Sequence, residues 1–250
     1  MKTMTIEGHV VRIFDSIDEL PITRFHKYNK YLLIDSRIGS DLNDVLARID
    51  RAIRYIGSNK ELAVVELENM KQAMFLINET ICPRHLAFAA LVDSIDGKRI
   101  TDLSDESMQG VVDTLGKTKT NFIDRFIETV KKKMDEELNL YFPSKFEDAN
   151  IKEYYDRLKS RMQLMLDKII RGIDHKEQIN EIDDFLLSLS KPRIFWGKDG
   201  AEIMFDKQYE DMCLLLAQKL TVDPKKMTVL QFYNAFEYIK KTIGSNDPKE

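Results

Sequence analysis

Gly110, Gly116, Lys117 and Thr118 stand in an order that invites comparison with a phosphate-binding loop. Such a loop, G-x-x-x-x-G-K-[ST], wraps phosphates in successive backbone amides and lays its lysine across them. Here five residues rather than four separate the glycines, and the segment before them has helical rather than strand character. The better reading is a helix that stops at Gly116, with Thr118 capping the next one. Cys82 and His85 have the spacing of half a zinc site, but a structural site needs four ligands and no second pair lies nearby. They read instead as a buried cysteine beside an exposed histidine. His9, His26 and His175 are isolated, and no H-E-x-x-H occurs.

A nucleophile would need an adjacent base, and neither a G-x-S-x-G turn nor any local feature marks a serine, Cys82 or Cys213 as activated. Acidic pairs such as Asp183 with Asp184 fit solvated helix faces in a chain this charged. Lys131, Lys132 and Lys133 are followed at once by Asp135, Glu136 and Glu137, a mixed-sign face rather than a nucleic-acid stripe. The expectation is therefore a protein without catalytic residues, metal or cofactor.

Interaction is the chemistry left. Over residues 24–31, helical spacing puts His26 and Lys30 on one face and Arg24, Lys27 and Tyr31 on another. Phe25, Leu32 and Leu33 are left to pack, which predicts a basic, aromatic surface turned outward, able to hold acidic side chains of a partner or the backbone of DNA. Phe195 and the single tryptophan, Trp196, sit beside Gly197, at a predicted hairpin tip. They are either a core plug or an anchor pressed into a partner. Arg24, His26, Lys27, Lys30, Tyr31, Phe195 and Trp196 together form the candidate interaction surface. The eleven methionines read as core filler or adaptable interface, with core favoured.

The elements that must position these residues are mostly helical. The chain has 250 residues, 43% hydrophobic and 32% charged, with ten glycines and six prolines, the profile of a helix-rich globular protein. A net charge of −4 supplies no global attraction to nucleic acid. Neither a membrane span nor a signal peptide is visible, and two distant cysteines give no disulfide framework, so synthesis in a reducing cytoplasm is the expectation.

Residues 9–14 read as a short strand and 22–36 as a first helix. The second helix carries Leu42, Val45, Leu46, Ile49, Ile53 and Ile56 as one buried stripe, with Asp41 and Asp44 in its first turn and Gly57 as a left-handed terminator. Ser58 and Glu61 form a capping box for the third. Helices are expected over 84–95 and 104–115, the former closed by a turn at Asp96 and Gly97. Two long helices over 119–141 and 151–171 should form an antiparallel hairpin, followed by a helix over 176–189. A β-hairpin is expected over 191–205, then helices over 206–220 and 228–242 and a frayed tail. The fold class is mainly α, a multi-helix bundle with a long helical hairpin and a small β-hairpin near the C-terminus. Three regions follow, 1–116, 117–190 and 191–250, which could form one domain.

The stretch ELPITRFHKYNKYLLIDSRIGSDLNDV (19–45) resembles a segment in proteins of crAss-like phages that infect gut Bacteroides. TVLQFYNAFEYIKK (228–241) is similar in character to the small helical ends of tailed-phage tail and assembly proteins. The two cover under a fifth of the chain, and neither is a catalytic motif. The resemblance implies a structural virion protein, made in the bacterial host cytoplasm. It would form a homo-oligomeric ring, commonly of twelve copies, in the neck or tail around the DNA channel. Portal or tail ring proteins would be its partners, with passive DNA contact and no membrane. The alternatives are an assembly factor left out of the particle, scaffold or tail chaperone, and a helical nucleic-acid-binding regulator. No individual functional residue carries over from the resemblance.

Overall fold

The computed structural model describes residues 1–39, 41–115, 120–143, 149–189 and 193–244. It is mainly helical, with a small four-stranded antiparallel sheet. Two compact units divide the chain: Met1–Glu137 with Ile194–Glu250, and Leu138–Arg193.

The first unit opens with β1 (Lys2–Ile6) and β2 (His9–Ile13), paired in register from Lys2 against Ile13 to Ile6 against His9. Glu7 and Gly8 turn between them with φ of 47° and 88°, the left-handed pair that a two-residue hairpin needs. After four helices the chain returns as β3 (Val92–Ile95), antiparallel to β2, and closes with β4 (Lys98–Arg99). Asp96 and Gly97 repeat the left-handed pair, at 49° and 80°. The helix expected over 84–95 therefore stops early, as α4 (Pro83–Leu91). Val92 to Ile95 are drawn into a strand because β2 offers an open edge, and Asp96-Gly97 is the hairpin turn.

Between the strands run α1 (Ile22–Ile38), α2 (Leu42–Ile56) and α3 (Lys60–Asn78). After β4 come α5 (Asp105–Thr114) and α6 (Thr120–Tyr141), whose last turn crosses into the second unit. Gly110 lies inside α5, in keeping with a helix there, while Gly116, Lys117 and Thr118 lie outside the described residues. Ile123, Phe126, Ile127, Val130 and Met134 form the buried seam of α6.

The C-terminal segment belongs to the first unit. The β-hairpin expected over 191–205 is absent from its described residues: 201–205 are the opening turn of α9 (Ala201–Ala217). A tight turn precedes it. Gly200 donates to the Gly197 carbonyl at 3.0 Å, and Ala201 and Glu202 donate to the carbonyls of Ile194 and Phe195, each at 3.0 Å. A Cβ on Gly200 would collide with the Phe195 carbonyl, so this glycine permits close packing of a helix start rather than a strand turn. A 3-10 helix (Pro224–Lys226) leads to α10 (Val229–Gly244). Ile22 donates to Met227 and Val229 to Leu20, both at 2.9 Å, which ties this segment to the entrance of α1. The expected frayed tail, 245–250, lies outside the described residues.

α1 is the hub of the first unit. It packs on α4 and α3, and on α9, α10 and the 3-10 helix. Tyr28 and Tyr31 are each 2% exposed, and Ile22, Phe25, Ile34 and Ile38 are buried with them. Each such side chain contributes about 1.5–3 kcal/mol of transfer free energy. The seam expected from Phe25, Leu32 and Leu33 is thus rotated and widened, since only Phe25 of the three is fully buried.

α2 and α3 pair antiparallel through a three-residue link. Asp41 caps α2 with a reciprocal box: it accepts from the Asp44 amide at 2.9 Å and its own amide donates to Asp44 at 3.2 Å. For α3 the cap is Asn59, which accepts from the Leu62 amide at 3.1 Å, rather than Ser58. Gly57 has φ of −82°, so the link needs no left-handed residue there.

In the second unit, α7 (Ala149–Arg171) packs on α8 (Lys176–Leu189). Arg161 donates to Asp183 at 2.5 Å and 3.3 Å, fixing the pair's register.

Candidate functional site

The residues expected to face outward on α1 do not. Arg24 is 6% exposed, and its guanidinium donates to the carbonyls of Ala90 at 3.1 Å and Val92 at 2.7 Å, and to that of Ile100. The first two carbonyls mark the end of α4 and the turn into the sheet, and the third directly follows β4. A cation there satisfies orphan acceptors and meets the negative end of the helix dipole. Burial pulls the Arg24 pKa below its ordinary value, with Asp93 opposing and Arg99 adding to the shift. Arg24 is a structural arginine.

Lys27 and Tyr31 both donate to Asp105, at 2.9 Å and 2.7 Å, which pins the start of α5 to α1. Burial, reinforced by Asp105, raises the Tyr31 hydroxyl well above its usual value. His26 is clamped between Phe205 and Tyr209, with ring centroids at 4.8 Å and 4.1 Å and near-parallel planes. Its Nε2 lies 2.8 Å from Asp206, and Lys30 reaches Glu202 at 2.7 Å and Asp206 at 2.9 Å. Burial lowers the His26 pKa, partly offset by Asp206. Burial works to raise Asp206, but the hydrogen bonds from Lys30 and His26 outweigh it and hold the carboxyl below its ordinary value. All five α1 candidates are thus consumed by contacts within the unit. The acidic partner expected for them exists, but it is Asp105 and the first turns of α9.

Phe195 is fully buried, and its amide donates to Asn69 of α3 at 2.9 Å. It is the core plug of the two readings. Trp196 is half-buried and meets Phe75 edge-on, with centroids 6.5 Å apart. Phe75 itself is 53% exposed, so Trp196 borders the surface through α3.

That border leads to what the sequence reading placed inside. Leu42, Leu46, Ile53 and Ile56 of α2 are each more than half exposed; Val45, Arg48 and Ala52 are the residues turned inward. Arg48 donates to the Ile38 carbonyl at 2.9 Å and to Glu66 at 3.0 Å, while Arg51 reaches the same carboxylate at 3.3 Å. This buried ion group occupies the α2–α3 seam. The apolar stripe is rotated about a quarter turn from it, as the helical periodicity of about 100° per residue requires. On α3, Val64, Leu67, Met74 and Phe75 are exposed as well. In the second unit, Met162, Met165, Leu166, Ile169, Ile170 and Ile173 form another exposed stripe along α7 and its end. Tyr154, Leu158 and Leu164 lie on the less exposed side of that helix.

Polar chemistry elsewhere is sparse. An open cleft of about 450 Å³ lies beside β1 and α6, lined by Lys2, Asp15, Phe126, Arg125 and Lys133 among others. Lys133 is already paired with Asp15 at 2.9 Å. Cys82 and His85 are both half-buried, and burial is the largest influence on each, raising the thiol and lowering the imidazole. Among the described residues no group of three or more His, Cys, Asp or Glu is placed to hold a metal, and no helix is long and apolar enough to cross a membrane. The exposed apolar faces are the most distinctive surface the molecule offers. Comparison with protein families, curated proteins and solved structures finds no match to this chain.

Proposed function

We propose that the protein is a non-catalytic structural subunit that works by assembling with copies of itself. In the form implied by the resemblance of residues 19–45, it is a ring component of the neck or tail of a tailed-phage virion. The observation that carries this reading is the α2–α3 face, whose Leu42, Leu46, Ile53 and Ile56 stand in solvent on one helix. A stripe of that length on an isolated molecule exceeds the scattered apolar residues normal for a surface, and large exposed patches mark interaction sites. The polar residues first expected to make the contacts are engaged internally, which leaves assembly to apolar burial. Antiparallel pairing of α6 with α7 into one long hairpin is part of this proposal.

Native mass spectrometry of the purified chain, together with peptide mapping of purified particles, tests it. A closed oligomer, and the chain at stoichiometric abundance in virions, is the expected result. A chain that stays monomeric and is missing from particles overturns the proposal. An oligomer left out of mature particles would assign the protein to particle assembly instead.

A further inference from the structure

The open cleft beside β1 and α6 lies wholly within the first unit and separates apolar from charged side chains. On α6, Phe122, Phe126 and Val130 form one row at four-residue spacing, and Arg125, Thr129 and Lys133 form the next. Lys2 and Met4 of β1 share one side of their strand, as alternate residues do. With Asp15 they complete the lining. Ile6, on that same side of β1, is 4% exposed, so a strand face that is core at its end opens into the cleft at its start. Phe126 and Val130 are buried, and the rings of Phe122 and Phe126 stack with centroids 6.2 Å apart. The floor of the cleft is therefore apolar.

Its charge is one-sided. Three cations, Lys2, Arg125 and Lys133, meet a single carboxylate, Asp15, and Lys133 is spent on it at 2.9 Å. The side chains of Lys2 and Arg125 have no carboxylate partner among the described residues; the Lys2 ammonium instead lies 6.0 Å over the Phe126 ring. That departs from α1, where Arg24, Lys27 and Lys30 all find acceptors inside the unit. In a chain of net charge −4, two exposed cations left over an apolar floor mark a place for an outside anion.

We propose that this cleft binds an amphiphilic carboxylate of the fatty-acid type. Its head lies against Lys2 and Arg125, where a guanidinium offers the paired donors that a carboxylate accepts. Its chain lies along Phe122, Phe126, Met4 and Val130, with the flexible Met4 thioether free to adapt to it. A volume of about 450 Å³ falls among those of small-molecule sites. The proposal does not depend on self-assembly.

Isothermal titration calorimetry of the full chain with decanoate, kept below its micelle concentration, should show saturable binding. Decanol and acetate each offer half of the chemistry and should bind about tenfold or more weakly. Lys2→Gln with Arg125→Gln changes exposed side chains only and should weaken decanoate by a similar factor. Phe122→Ala, also at an exposed position, should weaken it as well, and it serves as the independent variant should the first fail to fold by circular dichroism. Leu46→Glu with Ile53→Glu, away from the cleft, should bind as the wild type does. The cleft is overturned by an absence of saturable binding, by equal affinity for decanol, or by an affinity that the cleft variants leave unchanged. Binding lost in Leu46→Glu/Ile53→Glu would overturn it too, because the chain would then sit on the α2 stripe.

Discussion

α1 and α2 are neighbours in the chain and opposites in fate. α1 carries Arg24, Lys27, Lys30 and two tyrosines along its length, yet its charged and aromatic residues are drawn inside contacts with α4, α5 and α9. α2 carries the most regular apolar stripe in the first half of the molecule, and most of that stripe faces water. The difference lies in how many neighbours each helix has. α1 is surrounded, so even its polar side must be satisfied within the unit, and each cation finds a carbonyl or carboxylate. α2 has one main neighbour, α3, and meets it through a buried ion group rather than through its stripe. A face left apolar after the chain has folded is available to another chain.

The buried side of this contrast should break most sharply. Glu66 is 3% exposed and holds both Arg48 and Arg51, so Glu66→Ala leaves an uncompensated buried cation. Loss of about 3–5 kcal/mol is expected in urea unfolding. A loss under about 1 kcal/mol would mean that solvent reaches the seam. Arg24→Met keeps the stem but strips three carbonyls of their donor, and should cost about 3 kcal/mol by the same measurement. If α4 frays first, hydrogen exchange will rise at its C-terminal turn and in β3 before the rest of the unit.

The pH response sharpens the account of α1. His26 and His85 have folded-state pKa values lowered by burial, so the unfolded chain binds protons more readily. Stability is then complete above the ordinary histidine value of about 6.5 and declines as pH falls below it toward the depressed folded values. His26→Gln should flatten part of that decline in melting temperature between pH 7 and 5. An unchanged slope would show that the Phe205–Tyr209 clamp does not resist protonation. The exposed side should respond least in stability. Leu46→Glu with Ile53→Glu is expected to shift monomer unfolding by no more than about 0.5 kcal/mol per site. A larger loss would place these side chains in a fold-supporting contact.

How much of this was legible follows from the same contrast. Helix positions from α1 to α10 came through from spacing and punctuation, because periodicity and capping are local. Asp41 and Asp44, read as first-turn acids of α2, turn out to form its reciprocal cap, a case where nearby residues decide the outcome. β1, β3 and β4 were not read, although Glu7-Gly8 and Asp96-Gly97 are hairpin turns in plain view; the strands are short and β3 continues an apolar helix without a break. Gly197 and Gly200 carried the opposite error, since glycines that admit a close helix start look like a hairpin tip. At the candidate site the failure was one of direction. Apolar spacing identifies a stripe on α2 but does not say whether the chain itself covers it, and a basic aromatic face on α1 does not reveal that Asp105, Glu202 and Asp206 will reach it from 70 to 180 residues away.

The central claim is that the exposed apolar stripe of α2 is covered by other copies of the chain. Melting temperature measured over a wide range of protein concentration tests it most directly, because association stabilises the folded state by mass action. The wild-type melting temperature should climb with concentration, and that of the Leu46→Glu/Ile53→Glu variant should stay flat. A wild-type melting temperature independent of concentration, or a variant that climbs in parallel with it, would contradict the account.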